Sequence, residues 1–179
     1  WRSRSRALLF AGSHSFTSTE ARYLPATQPD GVWQVLQPRE KDHEYHVDHH
    51  GDRFFIRTNE NATNFRLVEA PVAAPGKVGW KEVVPHRKDV MLSGMTFFAS
   101  HYVLIEREGG LPRLRITDFR TGASHRIAFP EPVYTAGSST NAEYETGTYR
   151  YAYQSFVTPS SVFDYDMEQR DSKLLKQTE

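Results

Sequence analysis

At 179 residues the chain is long enough for one domain or a large part of one. Its 22 basic and 22 acidic residues cancel, which argues against nucleic acid as a partner, and no lysine-rich amphipathic stretch points to a membrane surface. It has no cysteine, so disulfides, thiol catalysis and cysteine-held metals are excluded, and a reducing, cytoplasmic setting is expected.

The N-terminal residues Trp1-Arg-Ser-Arg-Ser-Arg6 are basic, and the apolar run at residues 7–11 is too short for a signal sequence. No run approaches the roughly 20 apolar residues that span a bilayer. With no initiating methionine, the chain is expected to be an internal piece of a longer protein.

Residues 6–16 read as a strand broken at Gly12, and residues 17–27 as a second. Gln28-Pro-Asp-Gly31 is a turn by composition, and residues 32–37 form a third strand closed by Pro38. These are expected to be strands two to four of a group at 6–38 whose first strand is missing. A full group at 42–85 follows, with strands at 43–49, 53–57, 64–68 and 80–84 and a turn at Gly51-Asp52. The group at 89–130 has strands at 90–98, 102–107, 112–119 and 125–129. The last, at 140–177, has strands at 141–146, 149–157, 161–167 and 172–176.

No stretch of ten or more residues sustains a 3.6-residue period, so the fold class is all-β. Ile56, Ile105 and Gln154 recur at a constant step (105 − 56 = 49 and 154 − 105 = 49), as do Leu67, Ile116 and Tyr165 (116 − 67 = 49 and 165 − 116 = 49). A four-strand pattern repeating at roughly 40 to 50 residues signals β-propeller blades. The expectation is one partial β-propeller domain over 1–179, with three complete antiparallel blades after an incomplete one. A β-sandwich is the rival topology.

Several motifs carry residue types suited to chemistry. In Asp42-His-Glu-Tyr-His-Val-Asp-His-His50, the residues Glu44, His46, Asp48 and His50 share one face of a strand, and three of those types ligate metals. Ligands two apart are splayed by about 7 Å and no second cluster completes a set, so a polar inner strand lining a wet surface is the simpler reading. Gly12-Ser-His-Ser-Phe16 and Gly137-Ser-Ser-Thr140 do not match a Gly-x-Ser-x-Gly elbow. Asn61-Ala-Thr63 has glycosylation-sequon form but reads as a turn, and Glu108-Gly-Gly110 is no phosphate loop. Tyr149, Tyr151 and Tyr153 alternate as a packing face, with ligand binding the lesser reading. No catalytic, cofactor or metal residue is assigned, and no cofactor is expected.

Residues Tyr153-Gln-Ser-Phe-Val-Thr-Pro-Ser-Ser-Val-Phe-Asp-Tyr-Asp-Met167 with Leu174-Leu-Lys-Gln-Thr-Glu179 resemble the end of the propeller domain in the oligopeptidase B (protease II) group of the prolyl oligopeptidase family of serine peptidases. Ser13-His-Ser-Phe-Thr-Ser-Thr-Glu20, Arg39-Glu-Lys-Asp-His-Glu-Tyr45, Val47-Asp-His-His50 and Arg53-Phe-Phe-Ile-Arg-Thr-Asn59 are similar to the same group. The resemblance implies a seven-bladed propeller over an α/β-hydrolase domain of the same parent chain. It implies cleavage of short peptides after arginine and lysine, with large folded proteins kept out. The Ser-Asp-His triad would lie in the hydrolase domain, beyond Glu179. Alone, such a piece is expected to self-associate through uncovered blade faces. The competing readings are a kelch-like scaffold for protein partners and a small metal enzyme built on His46, Asp48 and His50.

Overall fold

The computed structural model describes residues 1–179: fifteen β-strands, one 3-10 turn at Lys77–Gly79 and no α-helix. No helix is long and apolar enough to cross a membrane. The all-β expectation holds. The chain divides into two compact units, Trp1–Lys88 and Asp89–Glu179.

The first unit holds a three-stranded sheet, β1 (Leu8–His14), β2 (Thr19–Pro25) and β3 (Gln34–Gln37). A four-stranded sheet follows, β4 (Tyr45–His50), β5 (Arg53–Thr58), β6 (Arg66–Pro71) and β7 (Lys81–Val84). The second unit holds two four-stranded sheets. One is β8 (Val90–Phe97), β9 (His101–Glu108), β10 (Leu111–Asp118) and β11 (Ser124–Arg126). The other is β12 (Tyr134–Ser138), β13 (Thr148–Ser155), β14 (Ser161–Asp166) and β15 (Asp171–Gln177). Every pairing is antiparallel between sequence neighbours, as in blades of a propeller.

Turn chemistry sets the registers. Glu108 pairs with Leu111, leaving Gly109 and Gly110 as a two-residue turn, and both have positive φ (58° and 81°). A type I′ turn demands positive φ at both positions and its twist suits the flanking strands. His50 pairs with Arg53 across Gly51-Asp52, with only Gly51 at positive φ (62°), as a type II′ turn requires.

Each unit has one core between its two sheets. In the first, Leu8, Phe10, Ala21, Tyr23 and Leu36 meet Tyr45, Val47, Phe54, Ile56, Val68 and Ala70. In the second, Phe98, Val103, Leu114, Ile116 and Ile127 meet Tyr134, Tyr149, Tyr151, Tyr153, Tyr165 and Met167. The tyrosine run is therefore packing, as the alternation suggested. Burial pushes the Tyr149 hydroxyl up to about 12.

Two expectations need correction. Residues 141–146 are not a strand: the first strand of the last sheet is β12, further upstream. The Asn141 amide imitates a ladder residue instead. Its Oδ1 accepts the Arg150 N–H at 2.7 Å and its Nδ2 donates to the Arg150 carbonyl at 2.9 Å, so the backbone of 141–146 is free to loop. Gly12 does not break β1, which pairs with β2 through Gly12↔Ala21; its bare Cα leaves room for the Trp1 ring, which a Cβ would meet at 3.0 Å. The incomplete first sheet has three strands, as expected; residues 1–2 only touch its edge, where Arg2 bridges Leu9 and the Trp1 and Phe10 backbones exchange hydrogen bonds of 2.9 and 2.7 Å.

The constant step of 49 is correct only to a residue or two, since β5, β9 and β13 begin at Arg53, His101 and Thr148 (101 − 53 = 48 and 148 − 101 = 47). A one-residue slip reverses a side chain's face. Ile56 thus packs against the sheet before its own, whereas Ile105 packs toward the sheet after its own.

Asn141→Ala should lower stability by about 1–3 kcal/mol, because it leaves the Arg150 N–H without its acceptor, while the Arg150 carbonyl keeps the Ser139 N–H at 3.0 Å. Urea unfolding checks this; a variant with an unchanged midpoint and slope would show that the side-chain ladder contributes nothing.

Candidate functional site

The polar strand singled out by its histidines is β4, at the edge of its sheet. Alternation divides it cleanly. Tyr45, Val47 and His49 are buried toward the core, with the His49 ring 6.0 Å from Phe54. His46, Asp48 and His50 take the other face, as expected from a period of two. Glu44 lies just before the strand.

These residues share a face without converging. Asp48 Oδ1 accepts the Arg4 N–H at 3.0 Å and the His49 N–H at 2.8 Å, which pins the turn before β1 to β4. Burial nevertheless raises the Asp48 carboxyl to about 6 against the pull of those two donors. The His46 ring lies 6.3 Å from His14, and that of His50 lies 6.3 Å from Phe55. No three His, Cys, Asp or Glu side chains gather closely enough to hold a metal.

Sequence reading overlooked Arg57. It stands opposite His46 in the ladder, with its guanidinium 4.1 Å above the Phe65 ring. Burial lowers its pKa while Glu44 raises it. Burial, helped by Arg57 and His14, also lowers that of His46. This face therefore favours neutral imidazole beside a fixed cation. The alternation at Arg53, Phe55 and Arg57 was the one available signal, and it does not reveal the Phe65 contact, which depends on a left-handed residue at φ 62°.

Two serine–histidine pairs exist, and neither is a nucleophile with its base. Ser5 Oγ meets His49 Nδ1 at 2.7 Å, but the neighbouring Asp48 Oδ1 is committed to two backbone amides. Ser100 Oγ meets His101 Nδ1 at 2.9 Å. Asp118, opposite His101 in the ladder, spends its Oδ1 on the Arg120 and Thr121 amides at 2.6 and 2.9 Å. A working triad needs a carboxylate orienting the base and the base holding the serine.

Four meandering sheets with side chains held mainly for packing and for positioning turns are the parts of a scaffold. The family model described as "Prolyl oligopeptidase, N-terminal beta-propeller domain" matches residues 1–178. The chain belongs to this family. It is 39% identical over 177 residues to dipeptidyl aminopeptidase BI of Pseudoxanthomonas mexicana, covering 98% of this chain and 24% of that protein. It is 27% identical over 176 residues to protease 2 of Moraxella lacunata, covering 98% of this chain and 25% of that one. The solved structure of oligopeptidase B from Leishmania major superposes with a TM-score of 0.91 at 27% identity, over 100% of this chain and 27% of that one. The chain thus spans about a quarter of the length of these relatives, and the β-propeller expected from the strand pattern is the family's domain.

Asp48 gives a test of the β4 face. Its pKa is raised in the fold, so its contribution to stability is present below the unfolded value near 3.8 and lost as pH rises through about 6. His43, His46 and His49 are lowered by burial, and their contribution runs the other way, lost as pH falls below the usual imidazole range. Comparing the chain with Asp48→Asn isolates the carboxyl. The variant should gain on the parent by about 1 kcal/mol per pH unit between pH 4 and 6. Parallel stability curves in urea titrations would contradict the assignment.

Proposed function

We propose that this chain is a non-catalytic propeller segment of a serine oligopeptidase that cuts short peptides after arginine or lysine in the cytoplasm. The sheets restrict access of large substrates to a hydrolase site elsewhere in the parent chain. The observation that carries this reading is the family match over residues 1–178, in a chain that spans about a quarter of its relatives. Supporting it are the 0.91 TM-score to an oligopeptidase B and the relationship to a protease 2. Sheets that bury layers of aromatic side chains form a stiff wall, because close-packed interiors resist deformation.

The test uses the full gene product. Arginyl and lysyl amides should be cleaved at least about 100-fold faster than prolyl ones in kcat/KM, a ratio within reach of a charge-recognising site. A ten-residue arginyl peptide should be cleaved, while a folded protein displaying the same sequence in a loop should not. Equal cleavage of peptide and protein would sink the access role. Preference for proline would sink the specificity.

A second reading is favoured by the name of the 39% identical relative, a dipeptidyl aminopeptidase. N-acetylated substrates decide between the two: cleavage of blocked arginyl peptides supports the first, and a requirement for a free amino end two residues before the cut supports the second.

The same reading includes self-association of the separate chain. The outer strand β15 is exposed along its whole length, with Leu174 and Leu175 at 48% and 44% among polar neighbours, and an unpaired strand edge is a template for pairing. Sedimentation should show a dimer or larger species that Leu174→Lys with Leu175→Lys returns to 20.6 kDa. A parent chain that is already monomeric at micromolar concentration would contradict this.

A further inference from the structure

Two histidines of the first unit stand close together and serve neither its core nor the proposed function. His14 ends β1 and His46 is the second residue of β4, so they belong to different sheets. Both side chains are exposed, their ring centres are 6.3 Å apart, and the ring planes are inclined by 36°.

Little else claims either ring. The His46 imidazole makes no hydrogen bond within the protein. His14 makes one, between Nδ1 and Thr19 Oγ1, and at 3.4 Å it is long. Gly12 keeps the space beside the His14 ring open, because a Cβ there would stand 2.8 Å from Nε2. Either imidazole can therefore turn to present a nitrogen to the gap between them. The charges nearby leave that gap open to a cation. Arg57, opposite His46 in the ladder, is drawn aside over the Phe65 ring at 4.1 Å. Glu44, two residues before His46 and on the same face, offsets the Arg57 charge.

A metal ion about 2 Å from an imidazole nitrogen lies about 3 Å from that ring's centre, so one ion can link rings whose centres are up to about 6.5 Å apart. The observed spacing falls within that limit. Imidazole suits copper, nickel and zinc, and copper is held most tightly of the three. We propose that His14 and His46 bind one divalent transition-metal ion of this class, each through one ring nitrogen, with water in the remaining positions. The ion clips β1 to β4 and so ties the three-stranded sheet to the four-stranded one. Two protein ligands make an open, exchangeable site, unlike the four-ligand sites that enclose structural zinc. Binding here is independent of any peptidase activity of the parent chain.

Calorimetric titration of the untagged full gene product with copper(II) and zinc(II) chloride tests the assignment, with His14→Gln and His46→Gln measured alongside. Both side chains are exposed, so neither variant disturbs the core. The parent should bind one more copper equivalent than either variant, and this equivalent should bind copper at least about tenfold more tightly than zinc. The copper resonance signal lost in each variant should carry splitting from two imidazole nitrogens. His50→Gln, on the same strand, should behave as the parent does. Equal copper uptake by the parent and both variants, a loss that follows only one of the two histidines, or splitting from a single nitrogen would overturn the site.

Discussion

The rest of the structure depends on one packing constraint: the β4–β7 and β8–β11 sheets bury apolar side chains on both faces. In the β4–β7 sheet, Phe54, Ile56, Val68 and Ala70 fill the core toward β1–β3, while Phe55, Leu67 and Val84 are buried on the opposite face. In the β8–β11 sheet, Val103, Leu114 and Ile116 face the tyrosines of β13, while Leu92, Tyr102 and Leu104 are buried on the other side. Each large side chain contributes about 1.5–3 kcal/mol by burial, and offset or edge-to-face rings add specificity, as where Phe98 meets Tyr149 at 84°. Even the charge placed among them obeys the constraint. Glu106 is fully buried and is held by Arg115 at 2.9 Å and Arg126 at 3.0 Å, since a buried carboxylate persists only when paired.

That constraint explains which features could be read from the chain. Strand alternation, the two-residue turns at Gly51-Asp52 and Gly109-Gly110, and the packing face of Tyr149, Tyr151 and Tyr153 follow from local rules, and all three were legible. Asn61, in the sequon, sits at φ 50° in a turn, as its composition suggested. What was not legible depends on distant partners. Asn141 looks like a strand residue in sequence because its side chain does a strand residue's work from outside the strand. The Glu106 network joins β9, β10 and β11 and leaves no local pattern. The recurring step of 49 misled in detail because sheet packing fixes the alternation and the side of the sheet, not the number of residues in the turns.

The constraint also locates variation. Positions in each unit's core are tied by packed neighbours from both of its sheets, whereas turns and edges are tied by few. Polar chemistry accordingly collects at the margins: Asp48, His46 and Arg57 at the β4 edge of the β4–β7 sheet, and His101, His125 and Arg170 around the turns of the second unit. Neither Ser5–His49 nor Ser100–His101 is completed by an orienting carboxylate.

The central proposal is a division of labour, in which these sheets guard a reaction carried out by a serine outside them. A fluorophosphonate probe applied to the full gene product, followed by peptide mapping of the labelled serine, tests it most directly. The account predicts a single stoichiometric label on a serine outside residues 1–179. A label on any serine within them, with loss of peptidase activity in proportion, would contradict it.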